Sequence, residues 1–471
     1  MRMCAVTVGT PEQEMVVILD TGSSDLYFDA ASAPACQATG PYSCRGGEFA
    51  PGDSSTYKIV QPEPAFNTSF GDGSTASGPF SSDTVCVGDV CVENVQFGVA
   101  TSVDSTTGYA ISLMGLGYSE NEATRHEYPN VPEVLKSAGV IESRLYSIFL
   151  NSFSETSGSI LFGGIDTSKF TGALETVNIL PSYITGNIDQ FVTTVTALRA
   201  NVDGQSNVIF SGGAPGVNAY AQNSGSLPVL LDTGSAAWSV PQEYYPYIAS
   251  AFPFLDNQGY CPCGDVKATD TITLTFEDTI DIEVPATEFI LPLYNATTNL
   301  PYIYDRRGDE ACALMIVPGE PTGFHFQTLG DAVLRSMYVV FDLDNGQMGL
   351  AQAATQPSEP NVVTVGSGPS AIASALNRQA SFEPASASQS YSVAAEISGT
   401  ATFVASTIQE AIGTATGTAA VPYDAQVSNT AAGGQSSGVA SGIVIPGLDW
   451  SAVWVLGIAS LMMVLGMGIM L

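Results

Sequence analysis

At 471 residues the chain exceeds what one hydrophobic core organises, so two lobes plus additional segments are expected. Forty-six acidic against thirteen basic residues leave a net charge of −33, a surface that repels nucleic acid and anionic membrane and argues against binding along a phosphate backbone. That self-repulsion relaxes as carboxylates protonate, so the composition suits an acidic medium, although charge of this size also serves solubility alone.

Met1 to Val8 reads as a strand running into Gly9-Thr10-Pro11. No charged n-region or apolar h-region precedes it, which is inconsistent with a disulfide-bearing chain, so the true amino terminus is expected to be missing, with its signal, a propeptide and even the first strand. Val16-Val17-Ile18-Leu19 is a run of branched apolar residues, read as a strand buried on both faces. It ends in Asp20-Thr21-Gly22-Ser23, where Gly22 supplies the tight turn that leaves Asp20 at the strand's mouth. Gly40 to Asp53 is a loop bearing Gly, Pro and Cys. Asn67 to Ser74 reads as a hairpin with Gly71-Asp72-Gly73 as its turn. Cys86 and Cys91 flank Val87-Gly88-Asp89-Val90, which places them across a further hairpin turn. Ile111 to Gly117 is an apolar run ending in Gly. Val131, Val134, Leu135 and Ala138 lie at helical spacing with Gly139 as the stop, and Leu145 to Leu150 reads as a strand.

In the second half the strand text returns as Pro228-Val229-Leu230-Leu231-Asp232-Thr233-Gly234-Ser235. A carboxylate at the end of a buried strand is costly unless it is hydrogen-bonded or compensated, so the same costly residue placed twice demands a reason. If the two halves pack face to face, Asp20 and Asp232 meet on the axis, and two carboxyls in contact share one proton. One site then holds an acid and a base, the requirement for moving protons around a scissile amide. Phe326-Gln327-Thr328-Leu329-Gly330-Asp331 repeats the earlier apolar run that ends in Gly. Strand-rich text continues to Ala353.

Eight Cys, several at short spacings, point to an oxidising compartment rather than to a metal, and further Cys or His at zinc-ligand spacing is lacking. No metal and no cofactor is expected. His126 and His325 are read as structural, because no Ser or Cys nucleophile motif accompanies them. Asn67-Thr68-Ser69 and Asn295-Ala296-Thr297 are glycosylation sequons.

After Ala353 the text changes to Ser, Thr, Ala and Gly, too poor in large apolar residues to bury a core. Residues 354–441 are therefore expected to be a disordered stalk. Ser451 to Leu471 is almost wholly apolar, and the last basic residue is Arg378. A terminal apolar tail after small residues and a short spacer fits a glycosylphosphatidylinositol-anchor signal over 442–471, with attachment near Asn429 or Gly433 to Gly438. A single-pass membrane anchor is the alternative.

The two Asp-Thr-Gly motifs in matched apolar contexts resemble those of pepsin-like aspartic endopeptidases over residues 4 to 353, and the tail is similar to the fungal surface-anchored, yapsin-like branch. The resemblance implies an all-β bilobal fold with a few short helices: residues 1–178 as the first lobe, closed by Ser159 to Asp166, and 179–353 as the second. Leu334-Arg335-Ser336-Met337-Tyr338-Val339-Val340-Phe341-Asp342 is a close match to the family. By resemblance, Asp20 and Asp232 are catalytic, with a water between them. Thr21 and Thr233 brace the loops, Gly22 and Gly234 form their turns, and Ser23 and Ser235 hydrogen-bond the carboxylates. Phe70, Gly71, Asp72 and Gly73 are the substrate flap. Phe70 stands where the family usually has Tyr and Tyr27 where it usually has Trp, so the hydrogen bond between those rings is lost and only packing can join them. The resemblance also pairs Cys36 with Cys44, and Cys312 with either Cys261 or Cys263. The implied protein is a secreted, surface-anchored monomer that cleaves peptides. A pepsin-fold protein that binds peptides or partners without cutting them, and a wall protein carrying the fold as cargo, are the competing readings, and the intact motifs argue against both.

Overall fold

The computed structural model describes residues 3–38, 43–106, 110–124, 126–155, 157–220, 224–295, 300–319 and 326–376. Strands dominate and the helices are short. The first large sheet runs Met3–Val8, Gln13–Asp20, Leu113–Gly115, Leu26–Asp29, Val90–Ala100, Thr75–Val87, Lys58–Ser69. The second runs Ile280–Pro285, Thr271–Phe276, Val192–Val202, Leu227–Leu231, Gln327–Leu329, Trp238–Pro241, Ile316–Gly319.

The repeated sequences become repeated topology. Gln13–Asp20 lies parallel to Leu113–Gly115, with Asp20 opposite Gly115, and Leu227–Leu231 lies parallel to Gln327–Leu329. In each half the motif strand ends beside the apolar run that closes in Gly. The glycines are required there: a methyl on Gly115 would sit 2.6 Å from Ser24 Cα, and one on Gly330 would sit 2.8 Å from the Ser235 carbonyl carbon. The first motif strand is less buried than its composition suggests. Met15, Val17 and Leu19 are core residues, whereas Val16 and Ile18 are only half-buried. Ile18 faces a smaller cluster of Tyr27, Phe66, Phe80, Leu113 and Tyr128 that lies beneath the Asn67–Ser74 hairpin.

A five-stranded sheet joins the halves, drawing Ser159–Phe162, Leu145–Phe149 and Phe170–Asn178 from the first and Met337–Asp342 and Gln347–Ala353 from the second. Strand alternation gives it two faces. Tyr146, Ile148, Val339 and Phe341 belong to the main core beneath the motif loops, and Tyr146 Oη donates to Leu116 O at 2.9 Å. Leu145, Phe149, Tyr338 and Val340 form the opposite face. The expected helix is present as Val131–Ser137, where Asn130 caps Glu133 N–H and Gly139, at φ +73°, ends the turn.

The stalk expected from residue 354 does not begin there. Asn361 N–H donates to Asp166 Oδ1 at 2.9 Å, Val362–Thr364 pairs with Gly164–Asp166, and a helix follows over Ala371–Ala375. Val365, Ala371 and Ile372 bury themselves against the outer face of the five-stranded sheet. A few apolar residues suffice because the sheet supplies the rest of the apolar surface, a contribution that composition alone cannot register. The remainder of the expected stalk and the apolar tail lie outside the described residues. Among the described residues no helix is long and apolar enough to cross a membrane.

Three disulfides join Cys36 to Cys44, Cys86 to Cys91 and Cys263 to Cys312, so of the two partners left open for Cys312 the structure takes Cys263. Cys261 is fully buried directly across the strand pair from Cys312, and Cys4 is half-buried; both are free thiols.

Candidate active site

The two Asp-Thr-Gly loops meet. Thr21 Oγ1 donates to Leu231 O at 2.7 Å and accepts from Thr233 N–H at 3.0 Å; Thr233 Oγ1 donates to Leu19 O at 2.7 Å and accepts from Thr21 N–H at 3.1 Å. Both threonines are buried, so these four bonds lock each loop to the strand of the other half away from competing water.

This lock brings the carboxyls together. A methyl on Gly22 would lie 2.6 Å from Asp232 Cγ, and one on Gly234 would collide with the Asp20 carboxyl, so each glycine leaves room for the opposite acid. Gly22 N–H donates to Asp20 Oδ1 and Gly234 N–H to Asp232 Oδ1, each at 2.8 Å. Here the symmetry ends. Ser23 Oγ donates to Asp20 Oδ2 at 2.5 Å, but Ser235 Oγ turns to its own loop and donates to Ala237 O at 3.2 Å. The expectation that Ser235 would hydrogen-bond a carboxylate is therefore corrected, because a nearer backbone carbonyl takes its proton. Loss of solvent, the neighbouring Asp20 charge and a hydrogen bond with the Asp20 carboxyl together hold Asp232 well above the usual carboxylate range, against the pull of Gly234 N–H. The two carboxyls share one proton.

The hairpin of Lys58–Ser69 and Thr75–Val87 is joined to the first loop's region through the Tyr27 ring, which packs on Phe66 and Phe70. Its turn is closed by Gly73 N–H to Phe70 O and Phe70 N–H to Ser74 O, both 2.9 Å, and Gly73 sits at φ +86°, where a side chain would strain the backbone. A methyl on Gly71 would meet nothing within 4 Å. The Phe70 and Tyr27 rings pack tilted at 37° with centroids 6.3 Å apart, and the Tyr27 hydroxyl turns away to Ile111 O at 3.4 Å. Burial and the charges of Asp29, Asp20 and Asp72 push the Tyr27 hydroxyl well above its ordinary range, so it stays protonated.

Residues that the sequence reading passed over complete the first loop. Ser24 Oγ donates to Tyr118 O at 2.6 Å, and Asp25 accepts from Tyr128 Oη at 2.8 Å and Ala123 N–H at 2.7 Å. Only their nearness to the motif could have flagged them. Asn67 is exposed on the hairpin, and Asn295 is half-buried with Nδ2 donating to Tyr302 Oη at 3.4 Å. His126 is exposed away from any such cluster, and His325 lies outside the described residues. Among the described residues, the one grouping of Cys, His and acids close enough for a metal is Glu12 with Cys86 and Cys91, whose sulfurs are already joined to each other.

The model of the eukaryotic aspartyl protease family matches residues 3–353. Relatives include the probable aspartic-type endopeptidase opsB of Aspergillus fumigatus, 32% identical over 79% of this chain and 72% of that protein. The OPSB protein of Arthroderma benhamiae is 34% identical over 78% and 72%. Candidapepsin-3 of Candida albicans is 32% identical over 74% and 78%. Two strand-borne acids on a shared axis, each cradled by the other half's glycine, agree with that match: the chain belongs to the eukaryotic aspartyl protease family and is a pepsin-like aspartic-type endopeptidase.

Proposed function

We propose that Asp20 and Asp232 are the catalytic pair of an extracellular endopeptidase, a reading carried by their contact across the Thr21 and Thr233 lock. A water held between the carboxyls gives its proton to Asp20 and attacks the scissile carbonyl carbon while Asp232 donates its proton to the carbonyl oxygen. The tetrahedral diol collapses as the pair protonates the leaving nitrogen, and no bond to the enzyme forms. Residues 70–73 close over the extended peptide.

An acidic working range follows from the same groups. Asp29 is fully buried with neither carboxyl oxygen hydrogen-bonded among the described residues, and burial pushes it up to about 7, as it pushes Asp342 to about 6. Both hold protons in the fold that the unfolded chain releases near 3.8. Their contribution is complete below about pH 4 and is lost as pH rises through the folded values, so folding stability falls toward neutrality. For activity, kcat/KM on a peptide without ionisable side chains should trace a bell centred on the acid side, falling at low pH as the pair takes up a second proton and at high pH as it loses the one it shares. A rate that climbs through pH 7 to a plateau, as for a His or Cys base, would defeat the reading.

Three disulfides and relatives that include a secreted aspartic protease of Candida albicans support an extracellular place. The tail text supports a lipid anchor of the yapsin-like kind, with 442–471 removed and glycans on Asn67 and Asn295. Phosphatidylinositol-specific phospholipase C should then release active enzyme from membranes, and deleting 442–471 should secrete it. Mass spectrometry that finds Leu471 on the membrane-bound protein would favour a spanning anchor instead.

A further inference from the structure

The hairpin turn at 70–74 is not held by its rings. Phe70 carries no hydroxyl and Tyr27 spends its own on Ile111 O, so packing at 6.3 Å is all that joins them. A different tie is present. Thr106 Oγ1 donates to Asp72 Oδ2 at 2.8 Å, and Thr106 N–H donates to Ser74 Oγ at 3.1 Å. Ser74 in turn donates to Asp72 through N–H and Oγ, both at 2.9 Å. Asp72 and Thr106 lie 34 residues apart, so these bonds fasten the tip of one hairpin to a separate segment. That segment is itself fixed, because Ser102–Asp104 pairs with Thr75–Ser77, the strand residues that directly follow the turn. The tip and the strand that leaves it are thus held by an element that is not part of the hairpin.

We propose that Thr106 is a positioning residue for peptide hydrolysis: it latches the turn through the Asp72 carboxylate and holds it in the position that closes over substrate. This rests on the reading of 70–74 as a substrate flap. A flap that is latched only part of the time binds peptide only in that fraction, so loss of the latch raises KM in proportion and leaves the step at the carboxyl pair untouched. Its acceptor is a carboxylate, which makes the Thr106 hydroxyl the stronger of the two donors that Thr106 brings to the turn.

Thr106→Val keeps shape and the backbone bond but removes the hydroxyl; Thr106→Ser keeps the hydroxyl. With a quenched peptide substrate, T106V should raise KM about fivefold with kcat within about twofold, and T106S should behave as the unmodified protein. Unchanged KM in T106V, or a joint fall in kcat and thermal midpoint that T106S does not rescue, overturns the latch. The flap reading is tested separately by hydrogen exchange of the 70–74 amides in the unmodified protein. Protection on adding a peptide with a hydroxyethylene in place of the scissile amide upholds it, and no protection defeats both the reading and the latch.

Discussion

Ending the chain at Ala353 should lower the thermal midpoint by roughly 4 °C relative to a chain ending at residue 376, the shift that a net loss of about 3 kcal/mol produces in a body of this size. The shorter chain loses Val365 and Ile372 from the outer face of the five-stranded sheet, each worth on the order of 2 kcal/mol in burial, together with the strand pairing at Gly164–Asp166. Ordering this segment costs conformational entropy, which is why the net falls below the gross burial. It also exposes Leu145, Phe149, Tyr338 and Val340 as one contiguous apolar patch, so the shorter chain should bind a hydrophobic dye and aggregate on storage. Ile372→Ala in the longer chain tests the packing alone and should reproduce part of the loss. Equal midpoints for the two lengths would mean that the segment merely rests on the sheet.

That segment was not legible because composition is averaged over long windows. Val362, Val363, Val365 and Ile372 are few among Ser, Ala and Gly, and the surface they cover is built from strands more than two hundred residues upstream as well as nearby. The two Asp-Thr-Gly loops were legible for the opposite reason. Asp-Thr-Gly after an apolar run is short and local, and its duplication carried the long-range fact that the two copies meet. Between these extremes lie choices made by local geometry. Cys261 and Cys263 are two residues apart, and although the register sets Cys261 across from Cys312, the bond goes to Cys263. Ser23 and Ser235 occupy matched positions, yet the carbonyl of Ala237 captures one hydroxyl and Asp20 the other. Val16 and Ile18 read as core but are half-buried, and Ile18 faces the cluster under the hairpin. The Thr106 contact with Asp72 has no signature at all, since neither residue belongs to a motif that names the other.

Asp20→Asn and Asp232→Asn should each reduce peptide hydrolysis by at least about a thousandfold, the scale of a lost general acid or base. The arguments differ for the two positions. Asn at 20 keeps an acceptor for Gly22 N–H and sets an amide NH2 against Ser23 Oγ, whose hydroxyl can turn to accept from it, but it cannot take a proton from water. Asn at 232 keeps an acceptor for Gly234 N–H but has no acid proton to give to the carbonyl. Neither change alters volume, and the Thr21 and Thr233 lock does not involve the carboxyls, so both variants should stay folded. Asp232→Asn should even melt slightly higher toward neutral pH, because it removes a carboxyl that burial and Asp20 hold above its ordinary range.

The account therefore stands on kcat/KM for one quenched peptide, measured at acid pH side by side for the unmodified chain and the two Asn variants, with thermal midpoints recorded on the same samples. Activity confined to the unmodified chain, at matched midpoints, is the expected result; full activity in either variant would contradict a water activated between Asp20 and Asp232.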